Sequence, residues 1–194
     1  MTRRAIYVTH PEVQIDPNIA TPDWGLSDVG AQRISALCER ITGLQNAQVF
    51  SSAERKALET AWPLASQSGR GLIVKNAMGE NDRSATGFLD QTAFLAARDA
   101  FFGAPATSFQ GWETAQDAQS RIVKSVRKAI QRTPMKNLVF AGHGAVGTLL
   151  FCHLSQQSID VKWDQNGGGH WFAFDPDTGA PEHHWRPIEA LDHL

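Results

Sequence analysis

The sequence predicts an α/β fold in three layers, a mainly parallel central sheet with helices on both faces. Three observations carry this expectation. Short apolar runs of strand character alternate along the chain with longer stretches whose apolar residues recur at helical spacing. The length, 194 residues, suits one domain, expected over residues 1–194. The hydrophobic fraction of 42% is enough to build a sizeable core without disulfide staples.

Taken in order, Ala5 to Thr9 reads as a short buried strand, followed by a loop punctuated by Pro11, Pro17 and Pro22. Ser27 offers an N-cap to a helix whose apolar face is Ile34, Leu37, Cys38 and Ile41. A strand at Ala47–Ser51, a helix from Ala53 to Gln67 and a third strand at Gly71–Val74 come next. The middle, residues 76–111, is mostly loop with one helix, Gln91 to Phe102. A long amphipathic helix is expected from Trp112 to Arg132, with Ala115, Ala118, Ile122, Val126 and Ala129 on one face. Beyond Pro134, the strand Leu138–Ala141 runs into a glycine turn and a helix from Val146 to Leu154. The last strand, His170–Phe174, follows Gly167-Gly168-Gly169.

Composition narrows the function. A formal net charge of −2 gives no electrostatic reason for a nucleic-acid or anionic-membrane partner, so any anion site must be a local cluster of cations. The apolar run Ala5-Ile6-Tyr7-Val8 is too short for a signal peptide, and no later run approaches a membrane span, which predicts a cytoplasmic protein. Cys38 and Cys152 form no CxxC pair and read as small hydrophobes packed in helices.

In parallel sheets ligands gather at the carboxyl ends of the strands. Three such ends carry chemistry here: Val8-Thr9-His10-Pro11, Ser51-Ser52 leading to Arg55-Lys56, and Ala141-Gly142-His143-Gly144. Two histidines with a cationic pair at a third strand end suit phosphoryl transfer. A neutral imidazole can attack phosphorus once cations and backbone N–H groups offset the phosphate charge. The helix after Gly144 is expected to aim its N-terminal amides at the same spot. Such a site calls for no metal or other cofactor, only a general acid for the leaving alkoxide.

These residues resemble the histidine phosphatases, the phosphoglycerate mutase-like superfamily, over nearly the whole chain. The likeness runs through Val8-Thr9-His10, Leu26-Ser27, Gly30, Ser51-Ser52 to Thr60-Ala61, and Gly142-His143-Gly144. The resemblance implies a phosphoglycerate mutase-like fold and a metal-independent phosphatase of small phosphorylated substrates. It implies that His10 becomes phosphorylated, that His143 stabilises the transferring group, and that Lys56, rather than Arg55, is the helix cation of the double-serine segment. The acid falls in Gly79–Gly87, where Glu80 is the expected proton donor and Asp82 the reserve.

The pattern is broken in three places. Thr9 stands where the family carries arginine, Lys56 replaces another arginine, and Gly142 replaces serine before the second histidine. Losing one bidentate arginine–phosphate contact costs about 2–3 kcal/mol, or about 30- to 150-fold in rate. Arg83 and Arg55 are the candidate replacements. Two other outcomes stay open within the family: a silent member that binds a phosphorylated ligand, and a mutase-type phosphotransferase. A dinucleotide-binding reading of Gly142-His143-Gly144-Ala145-Val146-Gly147 leaves the other two strand ends unexplained, with only 47 residues after Gly147.

Among the remaining histidines, His153 reads as a hydrogen-bonded structural residue, and His183-His184 as packing over the sheet edge with Trp185. His170, His183 and His184 show no metal-ligand spacing. Trp24 is expected in the core or at a substrate entrance.

Overall fold

The computed structural model describes residues 3–135 and 137–194; Met1, Thr2 and Lys136 lie outside the described residues. The described residues form six strands: β1 (Arg4–Thr9), β2 (Gln48–Ser51), β3 (Leu72–Val74), β4 (Asn137–Gly142), β5 (His170–Phe174) and β6 (Arg186–Pro187). They form one mixed sheet in the order β3-β2-β4-β1-β5-β6. The pairs β1/β4, β2/β4 and β2/β3 are parallel, while β5 runs antiparallel to β1 and β6 antiparallel to β5. Among the described residues five α-helices flank it: α1 (Asp28–Arg40), α2 (Arg55–Ser68), α3 (Gln91–Gly103), α4 (Ala115–Gln131) and α5 (Gly144–Leu154).

The period-2 alternation of each strand sorts the core into two layers. Ala5 and Tyr7 of β1, Phe50 of β2 and Phe140 of β4 face α3, α4 and α5, packing with Phe101, Ile122, Val126 and Leu149. Ile6, Val8, Val49, Val139 and Ala141 face the other way, onto Ile34 and Leu37 of α1 and Leu64 of α2. The three-layer expectation holds. The predicted apolar face of α4 is buried throughout.

Helix boundaries differ at three N-termini. The helix expected from Trp112 begins at Ala115, because the Thr114 hydroxyl accepts the Asp117 amide and ends the preceding turn. The helix expected from Ala53 begins at Arg55, with Ser52 and Glu54 left extended at the sheet edge. The helix expected from Val146 starts at Gly144, with extended His143 just before it. Ser27 caps α1 as expected, accepting the Gly30 amide at 3.2 Å. Strand β6 escapes the sequence reading because it is two residues long and contains proline.

Two contacts hold the loop after β1 in place. An added Cβ at Gly30 would lie 2.2 Å from the Glu12 carbonyl oxygen, so only glycine lets α1 press onto that loop. The Arg33 guanidinium donates to Glu12 Oε1, to the Gly168 and Gly169 carbonyls and to Glu189, tying the loop to the start of β5. Gly169 (φ +70°) donates its amide to the His10 carbonyl at 2.9 Å, so the triple glycine packs backbone against backbone beside His10.

No helix among the described residues is long and apolar enough to cross a membrane. Cys38 and Cys152 are free thiols in α1 and α5, and burial pushes the Cys152 thiol up to about 11.

Candidate active site

The β1/β4 register pairs Thr9 with Gly142, which places the next residue of each strand, His10 and His143, side by side. Their rings meet edge to face with centroids 5.3 Å apart. In β2, Ser51 pairs with Ala141, so Ser52 and Glu54 arrive at the same edge. Strand order and register thus gather these groups without any long-range side-chain reach.

His10 Nδ1 lies 2.8 Å from the carbonyl oxygen of Pro11. An oxygen lone pair there requires a proton on Nδ1, which leaves Nε2 unprotonated in the neutral ring. Burial, with the Lys56 and Arg83 charges as lesser causes, lowers the His10 pKa to about 4. His10 is therefore neutral and nucleophilic at neutral pH. The shift also has a consequence for stability. The folded chain disfavours the protonated ring, so the stability held by His10 is complete above pH 6.5 and is lost as pH falls towards about 4. The loss is on the order of 3 kcal/mol. Denaturant unfolding at several pH values should show a steeper loss across that window in the wild type than in His10→Gln; parallel curves would contradict the assignment.

His143 is fully buried, at 0% exposure. Its backbone is clamped by the Tyr7 hydroxyl, which accepts the His143 amide (3.1 Å) and donates to the His143 carbonyl (3.2 Å). Tyr7 is itself buried without exposure, and burial raises its phenol well above the ordinary value, so it stays protonated and able to donate. This clamp explains Gly142: an added Cβ would sit 2.2 Å from the Tyr7 hydroxyl oxygen. The serine that the family resemblance leads one to expect has no room. At the ring, Nε2 is 2.6 Å from Ser52 Oγ and 3.4 Å from Glu54 Oε1, while Nδ1 is buried with no partner among the described residues. Burial first, then the neighbouring His10 and Lys56, holds the His143 pKa well below the ordinary histidine value.

The Lys56 ammonium is nearly buried and already engaged. It donates to Glu54 Oε2 at 2.6 Å and to the Thr21 carbonyl at 2.8 Å. Glu54 was not singled out from the sequence, yet it sits among the predicted groups: Oε1 also accepts the Glu80 amide at 2.7 Å. Glu80 is half-buried beside it, and desolvation raises its pKa. Its carboxylate accepts the Val146 amide (3.1 Å) and the Ala145 amide (3.2 Å). This corrects the expectation that the N-terminal amides of α5 point at a bound anion, since Glu80 already takes two of them. Thr9 fills its arginine position differently from any phosphate ligand. Its hydroxyl lies 2.7 Å from Gln165 Oε1 and accepts the His170 amide at 2.9 Å.

The other sequence-predicted residues divide. Arg83 stacks its guanidinium 4.9 Å over the Phe94 ring, and that guanidinium makes no hydrogen bond or ion pair among the described residues, while its charge acts on both histidines and on Glu80. Arg55 points away, with its side chain 64% exposed and paired with Glu59 at 2.7 Å. Asp82 is exposed and caps a turn by accepting the Ser84 amide. From Glu54 and Glu80 a cleft of about 430 Å³ opens between residues 17–22 and 80–88. It shares Thr21, Arg83, Gly87 and Phe88 with a more apolar cleft of about 460 Å³ lined by Trp24, Phe94 and Trp112. Trp24 is both mostly buried and part of that lining. His153 pairs with Arg127 at the surface, His183 packs on Trp171, and His184 on Phe151. No group of three His, Cys, Asp or Glu side chains that could hold a metal occurs among the described residues.

The fold and the two-histidine edge define a phosphoglycerate mutase-like protein. The chain belongs to the histidine phosphatase superfamily (branch 1), whose pattern matches residues 10–182. Solved structures agree on the fold. A mycobacterial glucosyl-3-phosphoglycerate phosphatase in complex with inorganic phosphate superimposes with a TM-score of 0.75 at 20% identity, covering 95% of both chains. Bacillus stearothermophilus YhfR gives a TM-score of 0.78 at 20% identity, covering 93% of this chain and 94% of its own. The α-ribazole phosphatase of Shigella flexneri gives 0.76 at 15% identity, covering 98% of both chains. No curated protein matches the chain by sequence.

Proposed function

We propose that this chain, read as one domain over residues 1–194, is a metal-independent phosphomonoester hydrolase acting through His10 on small phosphorylated substrates. The observation that carries the reading is the His10 ring itself: Nδ1 is taken by the Pro11 carbonyl, and the ring stands edge to face with a fully buried His143. His10 Nε2 attacks phosphorus as the bond from phosphorus to the leaving oxygen breaks, and Glu80 delivers a proton to that oxygen. Water, deprotonated by Glu80, then attacks the phosphohistidine. The nitrogen–phosphorus bond breaks, and phosphate and neutral His10 are restored. The unpartnered His143 Nδ1 and the Arg83 guanidinium support the reading as groups able to meet phosphoryl oxygens. The leaving group lies towards the cleft of Phe88, Trp24 and Phe94, which makes p-nitrophenyl phosphate a suitable first substrate.

The test is hydrolysis of p-nitrophenyl phosphate between about pH 5 and 8 in excess EDTA, where turnover should persist. Glu80→Gln should lower kcat/KM, which reports the phosphorylation step, about 10²-fold or more for an alkyl phosphate, and far less for p-nitrophenyl phosphate, whose leaving group departs without a proton. Equal losses of kcat/KM on both substrates would remove Glu80 as the acid.

A second reading has a specific observation behind it. Lys56 is engaged by Glu54 and Thr9 by Gln165, which favours a member that binds a phosphorylated ligand without turning it over. Binding without EDTA-resistant hydrolysis would select that reading.

A further inference from the structure

Glu54 has no place in the chemistry above, yet it lies at the centre of the donors that a phosphoryl group would need. Two donors converge on its carboxylate, Lys56 Nζ at 2.6 Å and the Glu80 amide at 2.7 Å, with the neutral His143 ring beside them at 3.4 Å. An ammonium and a backbone N–H are donors by which proteins hold phosphate oxygens. The Glu54 side chain is only 13% exposed and that of Lys56 only 4%, so water screens neither charge well. Glu80, whose amide donates to Glu54, adds a second carboxyl group to the cluster, and Arg83 is a further cation felt by both histidines. The pocket thus holds its own anion.

We propose that Glu54 occupies the phosphate subsite as a resident anion and makes the site discriminate by ligand charge. The inference rests on the phosphate-site reading above. An incoming group must take Lys56 and the Glu80 amide from Glu54, or share them with a like charge close by. A doubly charged tetrahedral anion suffers that repulsion twice over compared with a singly charged one, because Coulomb energy scales with the product of charges. Glu54 therefore sets the site against dianionic phosphate, inorganic phosphate included, and in favour of phosphoryl groups of reduced charge.

Sulfate and sulfamate make the test, since both are tetrahedral and of similar size but carry two charges and one. Calorimetric titration of the intact protein should give tighter binding of sulfamate than of sulfate. Glu54→Gln keeps an acceptor for the Glu80 amide and removes the charge. It should raise sulfate affinity by about tenfold or more while moving sulfamate by less than about threefold. The ratio is the readout, because a purely structural role for Glu54 would weaken both anions together. A wild type that already prefers sulfate, or a ratio unchanged in Glu54→Gln, overturns the proposal. Should the variant not fold, the wild-type ratio alone decides it. The two readings separate cleanly: a ratio switch without turnover leaves Glu54 as assigned and removes hydrolysis, while His10-dependent turnover with no ratio switch does the reverse.

Discussion

His10→Ala is expected to lower kcat on p-nitrophenyl phosphate by about 10³-fold or more, leaving the fold and anion binding in place. The expectation follows from the tautomer. With Nδ1 held by the Pro11 carbonyl, Nε2 is the one ring nitrogen free to attack, and no neighbouring group can take over. His143 cannot substitute, because its Nε2 is engaged by Ser52 and its backbone is clamped by Tyr7. Removing the His10 imidazole also removes a ring that costs stability when protonated, so the variant should be at least as stable as the wild type near pH 4. Steady-state kinetics with circular dichroism as a folding control checks both parts. A variant that keeps more than a tenth of the activity would mean that another group is the nucleophile.

The second large effect belongs to Gly142. Restoring serine there, as the family resemblance invites, should destabilise the protein by about 3 kcal/mol, because the new Cβ would lie 2.2 Å from the Tyr7 hydroxyl oxygen and 2.8 Å from its ring carbon. Two fully buried groups cannot both keep their places: either the Tyr7 ring leaves its stack on Phe172, 5.6 Å away, or His143 moves. In the second case activity falls with stability, since the same hydroxyl fixes the backbone of His143. Tyr7→Phe in the Gly142→Ser background should recover part of the loss by deleting the atom in closest conflict, with the remainder left by the ring carbon. Additive losses in that double-mutant cycle would show that the two residues do not oppose each other, and the explanation of Gly142 would fail.

These two cases show what the sequence makes legible. The strands could be read because their apolar runs are short and bounded, and the positions of His10 and His143 follow from strand ends alone. Strand register does the rest, pairing Thr9 with Gly142 so that the histidines become neighbours. Glu80 follows from the family likeness, but its hold on two α5 amides does not. That detail depends on which carboxylate reaches a helix terminus first, and spacing does not show it. Glu54 was missed because an acidic residue at a helix start is usually a solvated N-terminal charge. Its signal was its place two residues before Lys56, inside the segment where phosphate-binding cations were expected. Tyr7 read as an ordinary strand residue facing the core. The clue to its hydroxyl was the glycine one residue before the second histidine, which no periodicity argument addresses.

The claim on which the account turns is that the phosphoryl group passes through His10. Rapid mixing with substrate, quenching in alkali and mass spectrometry of the peptides tests it most directly, because phosphohistidine survives alkali but not acid. An acid-labile phosphoryl group is expected on the peptide carrying His10, absent from His10→Ala and accumulating in Glu80→Gln, where the hydrolytic water has lost its base. Turnover with no such adduct in any of these proteins, or an adduct on the peptide carrying His143, would contradict it.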